Sequence, residues 1–316
     1  TSSAASDVYK RQITNSGNAN ACTGPTGMQD AKNMAKETSK LLGLRQREVG
    51  VCSTGVIGLP MPMIRIEPKY EGLVAGLGPK NGNDVARSII TSDTHEKEFA
   101  ISFELHGKRV RIGGCAKGAG MINPNMATML CFITTDANIG KRGLKEAIEN
   151  SVENTFNRIT IDGDTSTNDS VIVLANGAAE NKTIRRGTKE CRDFSHALEF
   201  VMNKLATSSV RDGERVTKFV TLEVKSARNA SDAKKVAQAV ANSSLVKSSW
   251  NGEDPNWGRI IHAVGYSGAS IREEFVDIYY ESKAACKGGL QTKTNPEVLR
   301  NIVSKPAFKI TIDLGI

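Results

Sequence analysis

"KGAGMINPNMATMLCFITTDA", residues 117–137, runs from a loop rich in glycine and asparagine straight into an apolar run with the composition of a buried strand. At the junction stand Ala127 and Thr128. A side chain at the start of a strand, just after a loop, is well placed to face a cleft. A threonine hydroxyl is a weak nucleophile, but on an N-terminal residue it has its own α-amine as general base, with a reference pKa of about 8. An internal threonine gains that amine only when the preceding peptide bond is cut. On residue types alone, an ordinary strand residue is the simpler reading of Thr128.

The rest of the chain sets the frame. Its 316 residues are 39% hydrophobic and 24% charged, which suits one large or two ordinary globular domains. The net charge of +8 raises the question of an anionic partner. The densest basic stretch, "KTIRRGTKECR" at 182–192, has five cations and no aromatic residue, and no nucleic-acid-binding signature accompanies it. It reads as solvated surface, so no nucleic-acid partner is expected. The six cysteines are widely spaced and read as reduced structural thiols of an intracellular compartment. No apolar run approaches a membrane span, and no membrane partner is expected. The ends read as incomplete: residues 1–14 as non-native or disordered, and the stop at Ile316 as a cut just after a strand pattern.

Helical spacing predicts helices over 28–42, 143–156, 196–206 and 231–245, the last with Ser231 as N-cap. Between them, 48–52, 99–105, 129–135 and 171–175 read as strands, the last apolar on both faces and therefore central. Later strands at 216–224, "FVDIYY" and "FKITIDL" look half exposed. The mixture, without strict alternation, predicts helices layered over sheets, an α/β (α+β) class, with a polar seam near 207–216.

Three glycine-rich loops, "NACTGPTG", "CSTGVIG" and "GGCAKGAG", lack the GK[ST] of a nucleotide cradle. "DGDTSTND", 162–169, imitates a calcium loop but has Thr167 where glycine is required and Val173 where the closing glutamate belongs. A turn is the simpler reading, with a supporting role beneath an active site as the alternative. The four histidines have no metal-ligand spacing, there is no CxxC pair, and no metal is expected.

The blocks "NACTGPTG", "CSTGVIG", "AKGAGMINPNMATMLCFITTDA", "STNDSVIVLANGA", "ERVTKFV" and "DPNWGRIIHAVGYSG" occur together and in order. In this the chain resembles the ornithine acetyltransferase family, the bifunctional ArgJ enzymes, from about Asn15 to Ile316. The resemblance implies a DmpA/ArgJ-like αββα sandwich over 15–210, with a smaller α+β domain at 211–316 whose end is missing. It also implies self-cleavage between Ala127 and Thr128, giving α and β chains that stay together, two of each in a heterotetramer. Thr128 would then carry the acetyl group from N-acetylornithine to glutamate. No cofactor is implied; acetyl-CoA enters as an alternative donor. The oxyanion hole maps to Thr54 and Gly55, and the substrate contacts to Thr91, Lys117, Thr128 and Glu214. The expected compartment is the cytoplasm for a bacterial source, and the mitochondrial matrix or chloroplast for a eukaryotic one.

Donors aimed at developing charge suit Thr54 and Gly55 to an oxyanion, and Lys117 with Glu214 matches a substrate carrying both charges. Two departures stand out. The family has two more residues between "CSTGVIG" and "LPM", close to the expected oxyanion turn, and its C-terminal segment, which supplies an Asn and a terminal hydroxyl to the substrate site, has no counterpart after Ile316. Two other functions stay open here: an aminopeptidase or amidase of the same fold, with water as acceptor, and an uncut, non-catalytic binding protein.

Overall fold

The computed structural model describes residues 10–123 and 129–316. The chain divides into two compact units, the first ending at Glu214 and the second covering Arg215–Ile316.

In the first unit, β3 (Lys97–Leu105) and β4 (Lys108–Lys117) form an antiparallel hairpin. β5 (Leu130–Thr135) pairs antiparallel with β4, and β6 (Ser170–Ala175) lies parallel to β5 after a crossover through helix α5 (Lys141–Asn154). Alternation along the strands sorts side chains to the two faces of this sheet. Ile112, Ile133 and Val173 face α5 and α6 (Lys189–Arg211), meeting Ala147, Val152, Leu198, Val201 and Met202. Cys115, Leu130, Phe132 and Ile172 take the opposite face, against Cys52 of β2 (Val49–Val56) and Ala86 and Ile89 of α4 (Gly82–Ile89). β2 pairs in parallel with β1 (Arg11–Asn18). Beyond them α1 (Gly24–Leu41) adds Met34 and Ala35, packed with Ile13, Val49 and Tyr70. The layers therefore run helix, sheet, sheet, helix. Each fully buried Val, Leu, Ile, Phe or Met among these core side chains contributes roughly 1.5–3 kcal/mol by leaving water. The short helices α2 (Met63–Ile66) and α3 (Tyr70–Ala75) connect β2 to α4.

Three sequence expectations need correction here. Arg11–Thr14, assigned to a non-native leader, form the first half of β1. The stretch "VIVLA" is not central: β6 is an edge strand in the order β3-β4-β5-β6. Its two apolar faces have another cause, since Val173 enters the α5/α6 core while Ile172 packs towards β2. Third, α6 extends well beyond 196–206, with its N-cap Thr188 accepting from the Cys191 N–H. Residues 207–211 are its last turn, while the division between the two units after Glu214 falls within the expected seam at 207–216; much of the basic stretch is the approach and first turn of α6. There Arg186 pairs with Glu146, and Lys189 with Asp193 at 2.7 Å.

The second unit has a five-stranded sheet, ordered β10-β9-β8-β11-β7, in which β11 (Ala307–Asp313) runs parallel to β7 (Phe219–Lys225) and antiparallel to β8 (Asp277–Tyr280). β9 (Lys283–Lys287) and β10 (Leu290–Gln291) finish one edge. Helices α7 (Ala230–Asn242), α8 (Ser244–Asn251), α9 (Trp257–Gly265) and α10 (Pro296–Val303) complete the unit; Val236, Val246, Ile260 and Val303 join Ile278, Phe308 and Ile310 in one core. The cap of α7 is Asn229, not Ser231: its side chain accepts from the Asp232 N–H at 2.9 Å. The single helix expected to 245 breaks at Ser243, which caps α8.

Candidate active site

Lys117 ends β4 on the face that looks towards β2, and it is only 4% exposed. Its Nζ donates to Thr54 Oγ1 at 3.1 Å and to Thr91 Oγ1 at 2.9 Å. Three residues marked by the family resemblance, from three separate segments, thus converge on one ammonium. Burial pushes the Lys117 pKa down, and the carboxylates of Asp93, Asp169 and Glu214 oppose that shift while Lys97 adds to it.

Beside Thr54, Gly55 has φ of +132°, and a Cβ there would lie 2.2 Å from the carbonyl carbon of Gly17. Only glycine fits so close to β1. The segment that follows is tied down, since the Asn18 side chain donates to the carbonyls of Leu59 and Pro60, both at 3.0 Å. Glu214 reaches the same sheet end by another route. Its N–H donates to the Ala119 carbonyl at 2.7 Å, and its carboxylate lies against Gly120, where a Cβ would come within 2.6 Å of Oε1.

Ala127 and Thr128 lie outside the described residues, so the expected cleavage bond and nucleophile have no geometry here. Their flanks do. The register pairs Lys117 with Leu130, so β5 begins beside Lys117 in the sheet, two residues after Thr128 in the chain. Before the 124–128 segment, the backbone N–H groups of Met121 and Ile122 donate to the Asp162 carboxylate, at 2.5 and 2.9 Å. After it, the Met129 N–H donates to Asp169 Oδ1, and the Met129 carbonyl accepts from the Ser170 N–H at 2.9 Å.

The stretch "DGDTSTND", whose simpler reading was a turn, thus holds both sides of the 124–128 segment. For Asp162 and Asp169 the turn was the simpler sequence reading and a supporting role the alternative; their bonds to the backbone on either side of 124–128 favour the alternative. The only signal was acidic side chains of local-turn type, and such a pattern cannot show that their partners lie about 40 residues away. Asp169 is unusual: among the described residues, its buried Oδ2 has no hydrogen-bond partner. Burial lifts its pKa to about 7, against the opposing effects of the Met129 N–H and the Lys117 charge.

That shift has a testable consequence. Because the folded pKa of about 7 lies above the ordinary 3.8, the native state holds the proton more tightly. This contribution to stability is complete below pH of about 4 and is lost as pH rises to about 7. Asp169→Asn removes the desolvated charge and keeps an acceptor for the Met129 N–H. Urea unfolding should find it level with wild type near pH 4 and more stable by roughly 2 kcal/mol above pH 7, the full shift being discounted for partial solvent access.

Among the described residues, no group of three or more His, Cys, Asp or Glu side chains could hold a metal ion. No described helix is long and apolar enough to cross a membrane. Cys52, Cys115, Cys131, Cys191 and Cys286 are buried, and burial pushes the Cys115 thiol up to about 11, so it is not a ready nucleophile.

The ArgJ family model matches residues 2–316. The chain is 44% identical over 306 residues to the arginine biosynthesis bifunctional protein ArgJ of Caldanaerobacter subterraneus subsp. tengcongensis, covering 96% of this chain and 76% of that protein. It is 45% identical over 310 residues to the ArgJ protein of Geobacter sulfurreducens, covering 98% of this chain and 79% of that one. The crystal structure of the Bacillus halodurans arginine biosynthesis bifunctional protein ArgJ aligns with a TM-score of 0.58 and 42% identity, over 60% of this chain and 89% of that one. The chain belongs to the ArgJ family, the bifunctional acetyltransferases of arginine biosynthesis.

Proposed function

We propose that the chain cuts its own Ala127–Thr128 bond and then moves the acetyl group of N2-acetyl-L-ornithine to L-glutamate through an ester on Thr128. The observation that supports this most is the meeting of Thr54 and Thr91 at the Lys117 ammonium, at the end of the sheet where β5 begins.

The chemistry balances in two half-reactions. The freed α-amine of Thr128 takes the proton from its own hydroxyl as Oγ attacks the acetyl carbonyl. The Thr54 hydroxyl and the Gly55 N–H stabilise the oxyanion. Collapse breaks the C–N bond, and the Thr128 ammonium returns its proton to the departing ornithine amine. The amine of glutamate then attacks the ester, restoring Thr128 and releasing N-acetylglutamate. Lys117 pairs with the substrate α-carboxylate, Glu214 with the charged amine of the ornithine chain, and Thr91 orients the Lys117 ammonium. Acetyl-CoA serves as a second donor to the same threonine, and no cofactor is consumed. The α and β chains remain together as a heterotetramer of two each. The reaction runs in the cytoplasm of a bacterium, or in the mitochondrial matrix or chloroplast of a eukaryote.

Acetylornithine with a labelled acetyl group tests the reading. Label is expected on glutamate, and on free acetate only at a trace level. Release of acetate at the same rate with and without glutamate would make the protein a hydrolase, and no release of ornithine would make it a binding protein.

A further inference from the structure

A buried cluster of charge lies beneath the residues just described. Lys97, at the start of β3, donates to Asp93 Oδ1 at 2.6 Å and to Asp212 Oδ2 at 2.5 Å. The side chains of Lys97 and Asp93 are wholly buried, and that of Asp212 is 3% exposed. Two carboxylates and one ammonium thus share an interior site, where each needs the others to offset its desolvation.

Among the described residues, the other contacts of the two carboxylates go to segments that carry a candidate site residue, with His95 Nδ1 lying 3.3 Å from Asp212 Oδ1. Asp93 accepts from the Gly118 N–H at 2.7 Å, next to Lys117, and from the Thr91 N–H at 3.2 Å. Asp212 accepts from the N–H of Thr94 at 3.0 Å and from the Thr94 hydroxyl, and it stands two residues before Glu214. Lys97 therefore joins the segments of Thr91, Lys117 and Glu214 at one point.

We propose that Asp93, Lys97 and Asp212 are positioning residues that hold the Thr91, Lys117 and Glu214 segments together, and that Asp93 and Lys97, but not Asp212, also set the charge state of Lys117. This rests on the reading of Lys117 as a substrate contact. The charged groups that face Lys117 are Asp93, Lys97, Asp169 and Glu214; Asp93 supports its charge and Lys97 opposes it, while Asp212 is not among them. The two carboxylates of the triad are thus separable by experiment. Asp93→Asn leaves the balanced pair Lys97–Asp212, and Asp212→Asn leaves the balanced pair Lys97–Asp93, so neither variant strands a charge.

The test is an NMR titration of the full chain labelled at lysine Cε, the Lys117 resonance being the one lost in Lys117→Arg. Asp93→Asn should lower the Lys117 midpoint by about one pH unit. Asp212→Asn should leave it in place. Lys97→Gln with Asp212→Asn, which keeps Asp93 as the only charge of the three, should raise it, and this arm decides the matter should Asp93→Asn not fold. An unmoved midpoint in Asp93→Asn, or equal shifts in both single variants, overturns the proposal. The titration does not depend on turnover, so its failure is distinct from failure of the wild type to move acetyl groups, which would count against the functional reading instead. In the active enzyme, the alkaline limb of acetyl transfer should move with the Lys117 midpoint in each variant; a limb that stays fixed while the midpoint moves also overturns the proposal.

Discussion

Thr128→Ala is expected to run as a single band near 34.0 kDa on a denaturing gel, where the wild type gives two shorter chains. The reason is chemical. Self-cleavage needs a hydroxyl to attack the Ala127 carbonyl and exchange the amide for an ester that water can open, and alanine has none. Transfer from acetylornithine to glutamate should fall at least about 10,000-fold, the scale expected when a covalent nucleophile is removed. Thr128→Ser keeps a hydroxyl and should still be processed. Two chains from Thr128→Ala would locate the cut elsewhere.

The second large effect concerns stability. Lys97→Met removes the lysine that bridges two buried carboxylates, and stranding buried charge in this way costs about 3–5 kcal/mol. The pH dependence follows from the carboxylates. Burial pushes both Asp93 and Asp212 up, but the hydrogen bonds and the Lys97 charge outweigh it, so each ends below the ordinary 3.8. A lowered carboxylate pKa stabilises the fold above about pH 4, and that stabilisation is lost as pH falls further. The deficit of Lys97→Met should therefore be largest near pH 7 and shrink as the two acids take up protons. Urea unfolding at pH 7 and pH 4 measures both. A loss below about 1 kcal/mol at pH 7 would mean that the triad is solvated and holds nothing in place.

Much of this molecule was legible in its sequence, for reasons that can be named. The helical spacing of Met28, Ala31, Ala35 and Thr38 revealed α1, although Met34 rather than the exposed Met28 enters the core, and the apolar run after Met129 revealed β5. What stayed hidden was structure whose stabilising partner is remote. β1, "RQITNSGN", is nearly all polar and shows no alternation, because its strand form depends on pairing with β2. The first turn of α6 reads as a charge run, because a capping Thr188 rather than apolar spacing starts it. "VIVLA" looked central because apolar faces were equated with a central position; in a two-sheet sandwich an edge strand too has core on both sides.

The site divides in the same way. Thr54, Gly55, Thr91, Lys117 and Glu214 were marked by resemblance, and the fold brings the Thr54 and Thr91 hydroxyls to Lys117. Lys97 sits in "HEKEF", where a lysine reads as solvated surface, and its partner Asp212 is 115 residues away. No local pattern could have paired them. For Asp169 a turn was the simpler reading, because the buried oxygen without a partner among the described residues is a property of the fold and not of the local sequence.

The central claim is that Thr128 is both the new N-terminus and the acetyl carrier. Peptide mass spectrometry of the wild-type protein after incubation with acetylornithine alone tests it most directly. The prediction is a peptide that begins at Thr128 and carries one acetyl group, which disappears when glutamate is added. An intact peptide that spans Ala127 and Thr128, or a Thr128 peptide that never gains the acetyl group under turnover, would contradict the account.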